Sequence, residues 1–204
     1  MTTITPDEMK SLETLFMSET GTPSILLMEH AAQGVAAALS RHAPKSARVL
    51  FLCGPGNNGG DGYAAARLWC SGGGQADVWE VTSAVRGDAL TNRTLALLHG
   101  VRVLPSVDAV DVAEYAAVVD ALYGTGLNHA IEGDAAILIH RLNDNPQIPV
   151  IAVDIPSGLD GTTGRALGAD VVRAAETVTF HRIKQGLLCL LYTSPSPRDT
   201  ERSR

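Results

Sequence analysis

Apolar residues follow two rhythms along this chain. Before Arg48 they recur at helical spacing, and from there they gather into short continuous runs separated by helical stretches. Thr5-Pro6-Asp7-Glu8 reads as a helix start: Thr5 caps, Pro6 takes the first helical position, and Glu8 closes a capping box back onto Thr5. That helix runs to about Glu19, where Gly21-Thr22-Pro23-Ser24 interrupts it. Ser24 is read as the cap of a second helix through Leu39, whose Ala31, Ala32, Ala36, Ala37 and Ala38 permit close approach of a neighbour.

The apolar runs predict strands at Val49–Cys53, Asp77–Val81, Val101–Leu104, Ala116–Leu122, Val150–Ile155 and Thr177–Phe180. Helices are predicted between them at Tyr63–Cys70, Asp88–His99 and Ala135–Asn143. Continuous apolar strands alternating with helices signal a sheet covered on both faces, because each right-handed crossover lays a helix back across it. The expected fold is therefore a three-layer, Rossmann-like α/β domain with a mostly parallel central sheet and helices on both faces. Such sheets bind ligands at the carboxyl ends of their strands.

Composition narrows the function classes. A chain of 204 residues with 45% hydrophobic and 19% charged residues fits one globular domain. The net charge of -6 argues against nucleic acid or an acidic membrane surface as partner, since either needs a positive field. No stretch reaches the length of about 20 apolar residues that spans a bilayer, and the amino terminus lacks a targeting pattern. Cys53, Cys70 and Cys189 are odd in number and lack metal-site or redox spacing, so a reducing compartment and a cytoplasmic protein are expected.

Three segments at predicted strand ends carry the candidate chemistry. The first, Gly54-Pro-Gly-Asn-Asn-Gly-Gly-Asp-Gly62, satisfies the Gly-x-Gly-x-x-Gly dinucleotide fingerprint, and Glu80 near the end of the next strand could serve as its ribose-binding acid. Asp61 counts against a plain dehydrogenase, because a carboxylate there is expected to repel a pyrophosphate and occupy the helix donors. A Walker A loop is excluded for want of its lysine. The bland alternative is a glycine turn in which Asn57, Asn58 and Asp61 cap the helix.

The second segment, Val118 to Leu127, puts Asp120 near the end of an apolar strand, where a carboxylate needs a cation or hydrogen-bond donors. The third, Val150 to Asp160, ends its strand on Asp154 and turns through Pro156, Ser157 and Gly158. Oxygen donors with one or two carboxylates suit a hard cation better than zinc. Among the histidines His129 stands out for following the Gly124 loop, and among the lysines Lys184, although a solvated lysine is the simpler reading of the latter.

Together these segments resemble the YjeF amino-terminal domain family, the NAD(P)HX epimerases. The likeness rests on the glycine segment, Asp-Ala-Leu-Tyr-Gly-Thr-Gly-Leu from Asp120, Val-Asp-Ile-Pro-Ser-Gly-Leu-Asp from Val153, Thr-Val-Thr-Phe from Thr177 with the following Lys-x-Gly, and the early helix at Leu27-Met28-Glu29. The resemblance implies interconversion of the R and S forms of hydrated NADH and NADPH, NADHX and NADPHX. It implies that Asn57, Asn58, Gly59, Gly60 and Asp61, the loop Gly124, Thr125, Gly126, Leu127, Asn128, His129 and Ala130, and Asp154 contact the hydrate. One potassium ion per subunit is implied at Asn58, Asp120 and Ser157. The family implies a homodimer and, as functional partner, an ATP- or ADP-dependent NAD(P)HX dehydratase, which in many bacteria is fused to it.

The substrate's chemistry suggests a mechanism: the hydrated carbon bears ring nitrogen and hydroxyl, and can lose hydroxide with help from the nitrogen lone pair. Asp154 is expected to handle the hydroxyl proton, assisted by Lys184. Residues 1–188 are read as the family's domain, cut short at its C-terminal end, which would leave an unpaired sheet edge; residues 189–204 read as a foreign or disordered tail. Three other readings stay open: a non-catalytic nucleotide-binding module, an ordinary dehydrogenase, and the epimerase half of a bifunctional repair enzyme.

Overall fold

A computed structural model describes residues 3–188; the expected tail at 189–204, with Cys189, lies outside the described residues. In chain order the elements are α1 (Pro6–Thr20), α2 (Ser24–His42), β1 (Arg48–Cys53), α3 (Asn57–Ser71), β2 (Gln75–Glu80), α4 (Gly87–Leu98), β3 (Arg102–Val103), β4 (Ala117–Ala121), α5 (Gly133–Asn143), β5 (Val150–Val153) and β6 (Glu176–Val178). The sheet has six strands in the order β3-β2-β1-β4-β5-β6. Every pairing is parallel, so the expectation of a mostly parallel sheet is sharpened to an entirely parallel one. Sheet growth reverses between β1 and β4, which creates the crevice where doubly wound folds bind ligands. Among the described residues β3 and β6 are the outermost strands.

Alternation along the strands divides the core in two. Val49, Phe51 and Cys53 of β1 pack with the small and aromatic residues of α2 and α3, whereas Leu50 and Leu52 turn to the other face and meet Leu138, Ile139 and Leu142 of α5. On α2 the packed positions are Ala32, Val35, Ala38 and Leu39; Ala37, counted beforehand in the close-packed face, is exposed because it falls on the opposite side of the helix. The predicted capping box at Thr5 and Glu8 is present. Ser24 does not cap: Pro23 takes the N-cap position, and the Ser24 hydroxyl donates instead to Asp88 of α4.

The glycine segment is helical from Asn57, several residues before the expected start at Tyr63. Close packing explains its glycines. A Cβ at Gly54 would lie 1.6 Å from the Leu122 carbonyl oxygen, and one at Gly59 would lie 2.0 Å from that of Gly54. α3 thereby presses its first turn onto the ends of β1 and β4.

At the opposite end of the strands, Asp77 ties three of them together. It accepts hydrogen bonds from Arg48 Nε (2.8 Å), Arg102 Nε (2.9 Å) and Nη2 (2.8 Å), and the Tyr115 hydroxyl (2.9 Å). Burial alone would raise its pKa, but these hydrogen bonds outweigh burial and hold it below the usual carboxylate value.

Candidate functional site

A cavity of about 670 Å³ opens where the ends of β1, β4 and β5 meet α1. It brings together Asn57, Asn58 and Asp61 of α3, the Gly124, Thr125, Gly126, Leu127 and His129 positions after β4, and Asp154 with Lys184. Several expected contacts do not line it. Gly59 is pressed against the Gly54 backbone and Gly60 against Met28 and Ala89. Asn128 is exposed beside His129, and Ala130 packs over Gly168. The sequence reading missed Lys10 and Glu13 of α1, as well as Tyr123 and Phe180, which also form the wall. The capping box marked α1 as a helix but nothing marked it as part of the site, because its approach to the cavity is a matter of tertiary placement.

A contact between the two ends of the described chain positions Lys184. The Ile4 N–H donates to the Ile183 carbonyl (3.3 Å) and the Gln185 N–H to the Ile4 carbonyl (3.1 Å), a parallel bridge that fixes the segment. Lys184 is not the solvated residue of the simpler reading: it is 3% exposed, and its Nζ lies 2.5 Å from Asp154 Oδ1. Thr179 Oγ1 (3.2 Å) and the Phe180 carbonyl (3.1 Å) accept hydrogen bonds from the same ammonium, while Asp154 Oδ1 meets it as an ion pair without hydrogen-bond geometry.

Asp154 adopts φ 68°, the left-handed region that a non-glycine side chain rarely occupies. Its N–H is held by the Val178 carbonyl at 2.8 Å, so the pairing of β5 with β6 enforces the strained turn that aims the carboxylate into the cavity. Gly124 makes room for it: a Cβ there would lie 3.2 Å from Asn58 Oδ1 and 3.4 Å from Asp154 Oδ2. The Asn58 amide nitrogen is buried with no partner among the described residues.

Asp61 departs from its expected role. It lies in the second turn of α3 and forms no hydrogen bond or ion pair among the described residues. It therefore does not occupy the helix donors, and the N-cap Gly56 leaves the first N–H groups of α3 without a side-chain cap. Burial pushes the Asp61 carboxyl well above its usual pKa, with the charges of Asp154 and Glu13 adding to the rise and that of Lys184 opposing it. Glu80 is committed elsewhere: Arg93 grips both of its oxygens, at 2.7 and 2.8 Å, and the Tyr63 hydroxyl donates to it at 2.8 Å. The expected ribose acid is thus a packing residue.

Asp120 and Ser157 lie behind the cavity and latch β4 to β5. Ser157 donates its hydroxyl (2.6 Å) and its N–H (2.8 Å) to the fully buried Asp120 carboxylate, while the Tyr123 N–H donates to Ser157 Oγ at 2.9 Å. Burial raises the Asp120 pKa to about 6 against the effect of these bonds. Among the described residues no group of three or more His, Cys, Asp or Glu side chains is placed to hold a metal ion.

The family described as YjeF-related protein N-terminus matches residues 24–186. The chain belongs to this family. A YjeF-related relative from Weissella koreensis, named NAD(P)H-hydrate epimerase, is 36% identical over 185 residues, which cover 91% of this chain and 83% of the relative. A protein of Rhodopirellula baltica with the same name is 35% identical over 188 residues, covering 90% and 76%. The bifunctional NAD(P)H-hydrate repair enzyme Nnr of Thermanaerovibrio acidaminovorans is 38% identical over 174 residues; the match covers 82% of this chain and 34% of that longer protein. The crystal structure of the yeast protein YNL200c superposes with a TM-score of 0.82 at 22% identity, covering 95% of this chain and 85% of that one, and so confirms the YjeF-related chain's fold.

Proposed function

We propose that this chain interconverts the R and S forms of NADHX and NADPHX in nicotinamide cofactor repair, as an isomerase. The observation that carries the reading is the Asp154–Lys184 pair, buried within the cavity at the sheet's switch point. A module that only bound nucleotide would not need a strained, ion-paired carboxylate there. The uncapped start of α3 after β1 suits the substrate's pyrophosphate. Loss of the hydroxyl from the hydrated carbon, assisted by the adjacent ring nitrogen, leaves a planar cation that water can attack from either face. Asp154 exchanges the proton on that oxygen, and Lys184 fixes the carboxylate that does so.

Potassium fits the donor set at Asp120, Ser157 and Asn58. Asp120 is buried and has no cationic partner among the described residues. Exchanging the oxygen and nitrogen of the Asn58 amide would replace its orphaned nitrogen with an oxygen ligand. The ion would supply positive charge at the exits of β4 and β5 and order the Tyr123 loop. An exposed apolar face on α1, formed by Leu12, Leu15 and Phe16, supports a homodimer. The fused relatives support an ATP- or ADP-dependent dehydratase as functional partner. Cys53 and Cys70 are free thiols, in keeping with a reducing, cytoplasmic setting.

The test is to add the protein to one purified epimer of NADPHX and follow the other by chromatography. Equilibration faster than the spontaneous rate supports the assignment, and a rate indistinguishable from buffer rejects it. A dehydrogenase would instead change the absorbance of reduced nicotinamide when given an alcohol or carbonyl substrate.

A further inference from the structure

Epimerisation through loss of the hydroxyl needs an acid as well as a base, because hydroxide is a poor leaving group at neutral pH. Lys184 Nζ, 2.5 Å from Asp154 Oδ1, suits that residue to start the turnover as the carboxylate that accepts a proton. A second carboxyl lines the same cavity, and it has the opposite surroundings: Asp61 has no cation, no backbone N–H and no hydroxyl bonded to it among the described residues. We propose that Asp61 is the general acid of the reaction, delivering a proton to the departing hydroxyl while the Asp154 carboxylate receives the proton of the water that adds.

This assignment rests on the epimerase reading of the site. The steps balance. Asp61 gives up its proton as the carbon–oxygen bond breaks; the bonding pair leaves with the oxygen, which departs as water, and the nitrogen lone pair forms the ring iminium. A water then bonds to the same carbon from the other face and loses a proton to Asp154. The proton returns from Asp154 to Asp61 through solvent in the cavity, so no acid or base is consumed. Run backwards, the roles exchange: protonated Asp154 delivers the proton to the departing hydroxyl, and the Asp61 carboxylate receives the proton of the water that adds.

The charged and titratable groups around Asp61 favour its neutral form on balance. Asp7, Lys10 and Glu13 face the cavity from α1, His129 from the loop after β4, Asp154 from the end of β5, and Lys184 from the C-terminal segment. Lys184 is spent on Asp154, while the Asp154 and Glu13 carboxylates oppose a further negative charge. Asp61, without a partner among the described residues, and Asp154, paired with Lys184, are thereby suited to opposite roles as acid and base.

The test uses the full chain and its Asp61→Asn variant, which keeps the shape and neutral polarity of the protonated acid but has no proton to give. The epimerisation rate is expected to fall by about 10²–10⁴-fold with KM changed less than about threefold. The wild-type rate falls as pH rises through the Asp61 ionisation, whereas the residual rate of the variant lacks that limb. Carbon-13 NMR of protein labelled at aspartate carboxyls gives a readout independent of activity: at pH 7 the wild type shows a protonated-carboxyl resonance that the variant lacks. A resonance that titrates in the ordinary carboxylate range, or a variant as active as wild type, overturns the proposal. A wild-type protein without epimerase activity would instead sink the functional reading, leaving the NMR result to decide the protonation of Asp61.

Discussion

Lys184 Nζ lies 2.5 Å from Asp154 Oδ1, and the segment carrying the lysine is fastened by main-chain hydrogen bonds to Ile4 near the other end of the chain. The ion pair at the centre of the site therefore depends on both flanks of the domain. β5 and β6 set the backbone of Asp154, and the N-terminal segment sets that of Lys184.

Replacing Asp154 with Asn tests the pair directly. Asn tolerates the left-handed backbone found at φ 68°, so the turn should survive while the charge disappears. Epimerisation is expected to drop by about 10²-fold or more. Lys184→Met should produce a comparable loss, and the double variant should be scarcely worse than either single one, because both remove the same interaction. Independent, additive losses in a chromatographic epimer assay would show that the two residues act separately.

The N-terminal bridge gives a second prediction. Ile4→Pro deletes the N–H that reaches the Ile183 carbonyl but leaves the Ile4 carbonyl that accepts from Gln185. The sheet and both cores lie elsewhere, so the melting temperature should move by only a few degrees, roughly what a ~1 kcal/mol change gives in a domain of this size. Activity should fall by about tenfold as Lys184 loses its placement. A variant that melts normally and retains full activity would show that the bridge does not position the lysine.

Local pattern made the fold legible and long-range contact hid part of the site. Continuous apolar runs such as Val49–Cys53 announced a doubly covered parallel sheet, and Thr5 with Glu8 announced the start of α1, because both signals reside in neighbouring residues. The helical state of Asn57–Gly62 was not legible, since glycine disfavours helix intrinsically and is used here to let α3 touch Gly54 and Ala121. Glu80 looked available until Arg93 and Tyr63 were seen to hold it. The part played by Lys10 and Glu13 had no sequence signal, because α1 reaches the cavity only through tertiary placement. Asp61 was recognised as anomalous, but the rise in its pKa comes from burial first and then from Asp154 and Glu13, which only folding brings near.

The proposed potassium site predicts a pH-dependent stabilisation through Asp120. Its pKa is raised by burial to about 6. Its contribution to stability is therefore full below the unfolded value near 4 and is lost as pH rises through about 6. A cation bound at Asp120 and Ser157 would offset that loss. Potassium chloride, compared with choline chloride at equal ionic strength, should therefore raise the melting temperature more at pH 8 than at pH 5. Asp120→Asn and Ser157→Ala should each weaken the difference. Equal melting curves in the two salts at pH 8 would rule out the cation site.

Asp77 predicts the opposite pH dependence at the far end of the sheet. Burial favours its neutral form, but hydrogen bonds from Arg102, Tyr115 and Arg48 prevail and depress its pKa. A depressed folded-state pKa contributes stability that is present above the unfolded pKa and lost as pH falls through the folded one. The two arginines remain partly solvated, with side-chain exposures of 31% for Arg48 and 58% for Arg102, which limits the strength of each pair. Asp77→Asn should cost about 2 kcal/mol at pH 7, the usual scale for hydrogen bonds to a charged group. The gap from wild type should narrow steadily below about pH 4, as the wild-type carboxylate takes up its proton. Urea unfolding at several pH values measures that gap, and a difference that stayed constant down to pH 2 would mean that packing, rather than the charge of Asp77, holds β1, β2 and β3 in register.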